Sequence, residues 1–188
     1  MELTLLFFAS FGSVIVLFLF YSGYFTPVKF TTVELPTLTL AVLPFVGAYK
    51  TSSSLQVELF EELKDAGLDV DSSAGIYFDN PKKVVESEHR SLVGVVIKPE
   101  NRERFLALDS KARLVELQSQ KVLHTSFAYK SGLSILLAIM KVYPAILKRV
   151  KRQAFELYEN IEVYDFPHKR LHFYFPKQSV ESLWDLHK

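Results

Sequence analysis

The chain contains no cysteine, which removes disulfides, thiolate nucleophiles and cysteine-ligated zinc together. That composition suits a reducing compartment without requiring one. Charge is almost balanced, 22 Lys plus Arg against 21 Asp plus Glu, so nothing general draws in nucleic acid or an acidic partner. No asparagine is a glycosylation acceptor, because Asn80 precedes Pro81, Asn101 is followed by Arg-Glu and Asn160 by Ile-Glu. There is no Gly-rich phosphate loop and no nucleophile elbow, so no cofactor and no catalytic residue is expected. His168 and His172 stand four residues apart with no clear third ligand, so no metal site is expected either.

What is present begins at the N-terminus. Leu3 to Tyr21 runs 19 residues without a charge, roughly 28 Å as a helix and close to the hydrocarbon thickness of a bilayer. This stretch reads as a membrane span. A cleaved signal peptide fits less well: the front is Met1-Glu2 rather than basic, the apolar run is too long, and Phe20 stands where a small residue is needed. The first basic residues, Lys29 and Lys50, lie after the span, which places the bulk of the chain in the cytosol and the short N-terminus on the lumenal side. Residues 1–26 are therefore expected to form an anchor with its interfacial aromatics, and residues 27–188 a cytosolic domain.

The rest alternates between strand and helix patterns. Strands are expected at Phe30 to Leu35 and Leu38 to Phe45, the second ending or bulging near Pro44. Ser53 and Gln56 have the spacing of a capping box, Leu59, Phe60, Leu63 and Ala66 form one helical stripe, and Gly67 stands as the C-terminal cap. Strands follow at Ser73 to Asp79 and Ser91 to Ile97, completing a β-α-β-β unit. The same order recurs as a strand at Lys121 to Tyr129, a helix from Ser131 to about Gln153, and strands at Ile161 to Asp165 and Leu171 to Phe175. Pro144 is expected to kink that helix or split it. Between the units, Pro99 to Leu117 reads as charged and partly helical with Phe105, Leu106 and Leu108 inward, and the tail offers Leu183, Trp184 and Leu186 as apolar anchors.

Phe60-Glu61-Glu62-Leu63 has the spacing of an autophagy-protein docking peptide, but docking of that kind needs an extended, exposed strand. Here both apolar residues fall on the helical stripe and are expected to be buried. Tyr158 and Ile161 share the spacing at a helix-to-strand junction and are the better partner-binding candidates.

Several of these residues carry a resemblance. The order of elements, with Val46-Gly47-Ala48-Tyr49 before the first helix, Gly75-Ile76-Tyr77-Phe78-Asp79-Asn80-Pro81 after it, and Ile161-Glu162-Val163-Tyr164 near the end, resembles the GyrI-like small-molecule-binding domain over about residues 30–176. Within that superfamily the chain is most similar to the membrane-anchored testis-expressed ER-phagy receptor family, which also joins one span to such a domain and has a Leu-Ser-Ile run ahead of a helix proline, as in Leu133-Ser134-Ile135 and Pro144. The resemblance implies an α+β fold, a duplicated β-α-β-β with an antiparallel sheet, helices on one face and a cleft between the halves, preceded by one N-terminal transmembrane helix. It implies that the cleft takes lipophilic cations against aromatic walls and a carboxylate. Glu162 holds the matching position, with Tyr164 on the same strand face and Tyr77 and Tyr49 as further wall residues. The alternative is that Glu162 is a solvated strand residue paired with Lys169 or Arg170 and that the tyrosines are core. The receptor family bears its autophagy motif on a long acidic, serine-rich tail that has no counterpart here, so the tail's residues are not carried over.

Lys148, Arg149, Lys151 and Arg152 form a basic cluster, expected either as a solvated helix end or as a contact with anionic headgroups. The expected protein is a single-pass, non-enzymatic protein of the endoplasmic reticulum membrane. Its domain would act as a binding or adaptor module, partnered by the lipid bilayer and by ubiquitin-like autophagy proteins. The alternative is a membrane-tethered binder, or hydrolase, of small lipophilic molecules.

Overall fold

A computed structural model of the chain describes residues 2–153 and 156–185. Eight strands build one antiparallel sheet: β1 (Thr31–Leu35), β2 (Leu38–Val46), β3 (Ser72–Tyr77), β4 (Arg90–Val96), β5 (Arg113–Leu117), β6 (Gln120–Ala128), β7 (Asn160–Asp165) and β8 (Arg170–Pro176). The helices are α1 (Glu2–Tyr21), α2 (Ser52–Asp65), α3 (Arg102–Leu106), α4 (Gly132–Gln153) and α5 (Ser182–Asp185).

The sheet order is β1-β6-β8-β7-β3-β4-β2-β5. Counted outward from the β7–β3 seam, the two halves correspond strand for strand: β7 to β3, β8 to β4, β6 to β2, and edge β1 to edge β5. Each half is the β-α-β-β unit expected from sequence, and the second helix of the pair, α4, matches α2.

Period-two alternation sorts the strand side chains onto two faces. Facing the helices, Ala41, Val95 and Ile97 pack with Leu59 and Leu63 of α2, while Phe127, Leu171, Phe173 and Phe175 pack with Leu137, Ala138, Val142 and Ile146 of α4. The far face buries Leu40, Val42, Ile76, Leu92 and Ile161 beneath Leu183 and Trp184 of α5. Trp184 meets Phe78 edge-on and the guanidinium of Arg90, itself paired with Asp79 and Glu181, lies over both rings. Of the expected tail anchors, Leu186 lies outside the described residues.

Helix α2 ends as expected. Gly67 has φ +79°, its N–H bonds the Lys64 carbonyl, and the Leu68 N–H bonds the Leu63 carbonyl, which is the Schellman pattern. Its start differs from expectation. No side-chain cap bond forms at Thr51. Instead Gln56 is buried and its amide donates to the Ala74 and Gly94 carbonyls, so it ties the helix to β3 and β4 rather than closing a capping box.

Three further expectations are corrected. Strand β2 continues through Pro44 to Val46 along β4, while β5 pairs only with Leu38 to Val42. Pro44 thus sits where one side of the strand is unpaired and a missing N–H costs least. Helix α4 is not split at Pro144 but runs as one helix across it: the proline is on the exposed side, and Val142 and Ile146, buried on either side of it, hold the turns to the sheet. Between the halves lie α3 and strand β5, the latter not foreseen, and Leu106 points outward at 64% exposure while Phe105 is buried.

Helix α1 carries Phe7, Phe8, Phe11, Val14, Leu17 and Phe20 exposed. Met1 and the side chains of Glu2, Leu3, Leu5, Leu6 and Ala9, part of the expected anchor segment 1–26, lie outside the described residues. Among the described residues, no helix is long and apolar enough to cross a membrane.

Candidate functional site

The seam between the halves is polar on its helix-facing side. Register places Ser91, Tyr77 and Asn160 in one row across β4, β3 and β7, Gly75 and Glu162 in the next, and Ser73 and Tyr164 in the third. Helix α2 overlies one half and α4 the other, so this strip lies between them.

Glu162 is the centre of it, with 4% of its surface exposed. The Tyr164 hydroxyl donates to Oε2 at 2.7 Å, and the Tyr143 hydroxyl and the Asn160 amide donate to Oε1 at 2.8 and 3.0 Å. Asn160 also donates to the Tyr143 hydroxyl. Burial pushes the Glu162 carboxyl above its ordinary value, and the three donors pull part of the way back. No ion pair with Glu162 is found among the described residues. The solvated alternative, pairing with Lys169 or Arg170, does not hold: Glu162 is buried, and Arg170 reaches Ser126 instead.

Tyr77 lies across this carboxylate because Gly75 makes room. A Cβ at Gly75 would come within 2.8 Å of the Tyr77 hydroxyl and 2.9 Å of its ring, so only glycine lets the ring fold back along its own strand. Burial raises the Tyr77 phenol far above its usual range, with the nearby Glu162 charge adding to the effect. Tyr143 and Tyr164 are raised by the same two causes in the same order. Tyr49 stands edge-on to Tyr77 with ring centres 4.9 Å apart, and its other face stacks on His89. Its hydroxyl donates to the Asp79 carbonyl and accepts from the Asp79 N–H, and burial pushes it up to about 12.

Of the four sequence candidates, Glu162, Tyr164 and Tyr77 therefore converge, and Tyr49 backs Tyr77 without touching the carboxylate. Tyr143 and Asn160 were missed. The alternation that selects Tyr164, two residues after Glu162, selects Asn160, two before it, equally well. Tyr143 carried no strand signal and could be found only from the buried side of α4. Two polar atoms in the strip, Ser91 Oγ and Asn160 Oδ1, are buried without a hydrogen-bond partner.

The remaining candidates lie elsewhere. Tyr158 is 40% exposed, but Ile161 is fully buried on the far face of β7, so the pair does not present two side chains to one partner. Leu63 of the Phe-Glu-Glu-Leu stretch is also fully buried, and Phe60 packs edge-on against Phe166. On α4, Lys148, Lys151 and Arg152 are exposed, whereas the Arg149 guanidinium lies over the Phe30 ring and bonds its carbonyl. Among the described residues, no group of three or more His, Cys, Asp or Glu is placed to hold a metal ion.

No family model and no curated protein matches the sequence. Solved structures do match the fold. The C-terminal domain of EcmrR is similar over 81% of this chain and 99% of its own, with a TM-score of 0.55 and 11% identity. SAV2435, solved bound to tetraphenylphosphonium, is similar over 82% of this chain and 96% of its own, with a TM-score of 0.51 and 11% identity. The Vibrio cholerae integron cassette protein VCH_CASS2 is similar over 80% and 97%, with a TM-score of 0.52 and 9% identity. The likeness is one of fold: the α+β architecture of this chain is similar to that of these three proteins. Nothing in the comparisons supports kinship with ER-phagy receptors.

Proposed function

We propose that this chain binds a small lipophilic cation at the seam between its two halves, with Glu162 as counter-charge and Tyr77, Tyr143 and Tyr164 as aromatic walls. The observation that carries the reading is a buried carboxylate surrounded by phenols and, among the described residues, without a cationic partner. A buried carboxylate that is hydrogen-bonded but has no counter-charge is still costly to ionise, and a ligand cation in contact with the tyrosine faces would offset that cost while gaining cation–π attraction. Because Glu162 is 4% exposed, the ligand must displace Tyr77 or Tyr143 to reach it. The fold's likeness to SAV2435, solved with tetraphenylphosphonium, supports the same chemical class.

In this reading α1 serves as a membrane anchor, which rests on the 19-residue uncharged run of the sequence, part of which lies outside the described side chains, and on the exposed apolar side chains that are described. The domain would then stand where lipophilic molecules partition. Placement in the endoplasmic reticulum and a link to ubiquitin-like autophagy proteins rest on the sequence resemblance alone.

Isothermal titration of the full chain with tetraphenylphosphonium tests the proposal. Binding should weaken about tenfold or more in Glu162→Gln, equivalent to about 1.4 kcal/mol, and tetraphenylborate, of the same shape but opposite charge, should not bind the wild type. Equal affinity of wild type and Glu162→Gln for the cation would overturn it.

A further inference from the structure

Helix α4 has an exposed face of its own. Its buried positions, Ser134, Leu137, Ala138, Val142 and Ile146, repeat at helical spacing toward the sheet. On the outer side Leu133, Leu136, Ile139 and Met140 are exposed, at 42%, 53%, 38% and 57%. Past Pro144 the exposed positions turn basic, with Lys148, Lys151 and Arg152 about a quarter-turn round the helix from the apolar patch. One helix thus presents about two apolar turns followed by cationic ones.

The apolar turns adjoin the end of α1. Lys130, just before α4, donates to the Tyr21 carbonyl and lies 4.2 Å from the centre of the Tyr21 ring. Lys141, next to Met140, donates to the Gly23, Tyr24 and Thr26 carbonyls and lies 5.5 Å from the centre of the Tyr24 ring. These bonds satisfy carbonyls at and beyond the C-terminus of α1, where cations are favoured. They also fix the start of α4 beside Tyr21, Tyr24 and Phe25, which are exposed aromatics of the kind that settle at a bilayer interface.

We infer that the outer face of α4 docks on the bilayer that holds α1, with Leu133, Leu136, Ile139 and Met140 in the interface and Lys148, Lys151 and Arg152 against anionic headgroups. The inference rests on the anchoring of α1. Two features select a lipid surface over a second protein: the apolar turns are continuous with the membrane-side end of α1, and the basic turns match the charge of the cytosolic leaflet. The domain is then held against the membrane rather than hanging from a free tether.

The absence of cysteine makes the test direct, since single cysteines can carry an environment-sensitive fluorophore. Full-length Leu136→Cys and Met140→Cys are labelled and reconstituted in phosphatidylcholine–phosphatidylserine vesicles, with Val14→Cys in α1 and Glu61→Cys on the wet side of α2 as references. The expected result is blue-shifted emission that is lost on adding nitroxide-bearing lipid at positions 14, 136 and 140, and neither effect at 61. Aqueous, unquenched emission at 136 and 140 with quenching at 14 overturns the docking and leaves the anchor standing. No quenching at 14 overturns the anchor, and the docking with it. Blue-shifted emission at 136 and 140 that lipid nitroxide does not quench means that protein covers the face, which also overturns the docking.

Discussion

The Tyr143 hydroxyl on α4 donates a 2.8 Å hydrogen bond to Glu162 Oε1 on β7. This bond joins helix to sheet at a place in the helix-facing interior where a carboxylate is enclosed. A donor to a buried charged acceptor contributes about 1.5–3 kcal/mol. Tyr143→Phe keeps the ring volume and removes the donor, so chemical denaturation should show a loss in that range. It should also push the Glu162 carboxyl further up, because one of the three groups holding it down is gone.

Gly75 and Tyr77 act as a pair. A methyl group at Gly75 would meet the Tyr77 ring at 2.9 Å, tighter than van der Waals contact allows, and overpacking of this kind costs about 1–3 kcal/mol. Gly75→Ala should therefore destabilise the protein by that amount. In a Tyr77→Ala background most of the penalty should vanish, and the double-mutant cycle measures the coupling. Additive effects would mean that Tyr77 does not lie over Gly75.

The fold was largely legible because its cause is local. Alternation in β3, β4, β7 and β8, the stripe on α2 and the glycine that ends it each follow from residue spacing, and each formed at about the expected place. Strand β5 was not legible, because Arg113 to Leu117 is short and charged and becomes a strand only through pairing with β2. Gln56 illustrates the same limit. Its spacing from Ser53 matches a capping box, yet the carbonyls of Ala74 and Gly94, far along the chain, compete for its amide and win. The site was half legible for a related reason: strand periodicity reaches Glu162 and Tyr164, whereas Tyr143 enters from α4 through tertiary packing that no local pattern encodes.

Glu162 and the His124–His172 pair are shifted in opposite senses, so their contributions to stability respond to pH in opposite directions. Glu162 lies above its ordinary 4.5 mainly through burial, so its folded form prefers the proton. That preference stabilises the protein fully below about 4.5 and is lost as pH rises through the folded value. His124 and His172 stack on the far face with Nε2 and Nδ1 3.0 Å apart, a contact that needs at least one neutral ring. Both are lowered from 6.5 by burial; His172 adds to the effect on His124, while Asp165 partly offsets it on His172. Their contribution is present above about 6.5 and is lost as pH falls through the folded values. Thermal melts from about pH 4 to 8 should show Glu162→Gln gaining on the wild type as pH rises, and His124→Asn gaining on it as pH falls. If both variants track the wild type at a constant offset, neither group is titrating in an environment different from that of the unfolded chain.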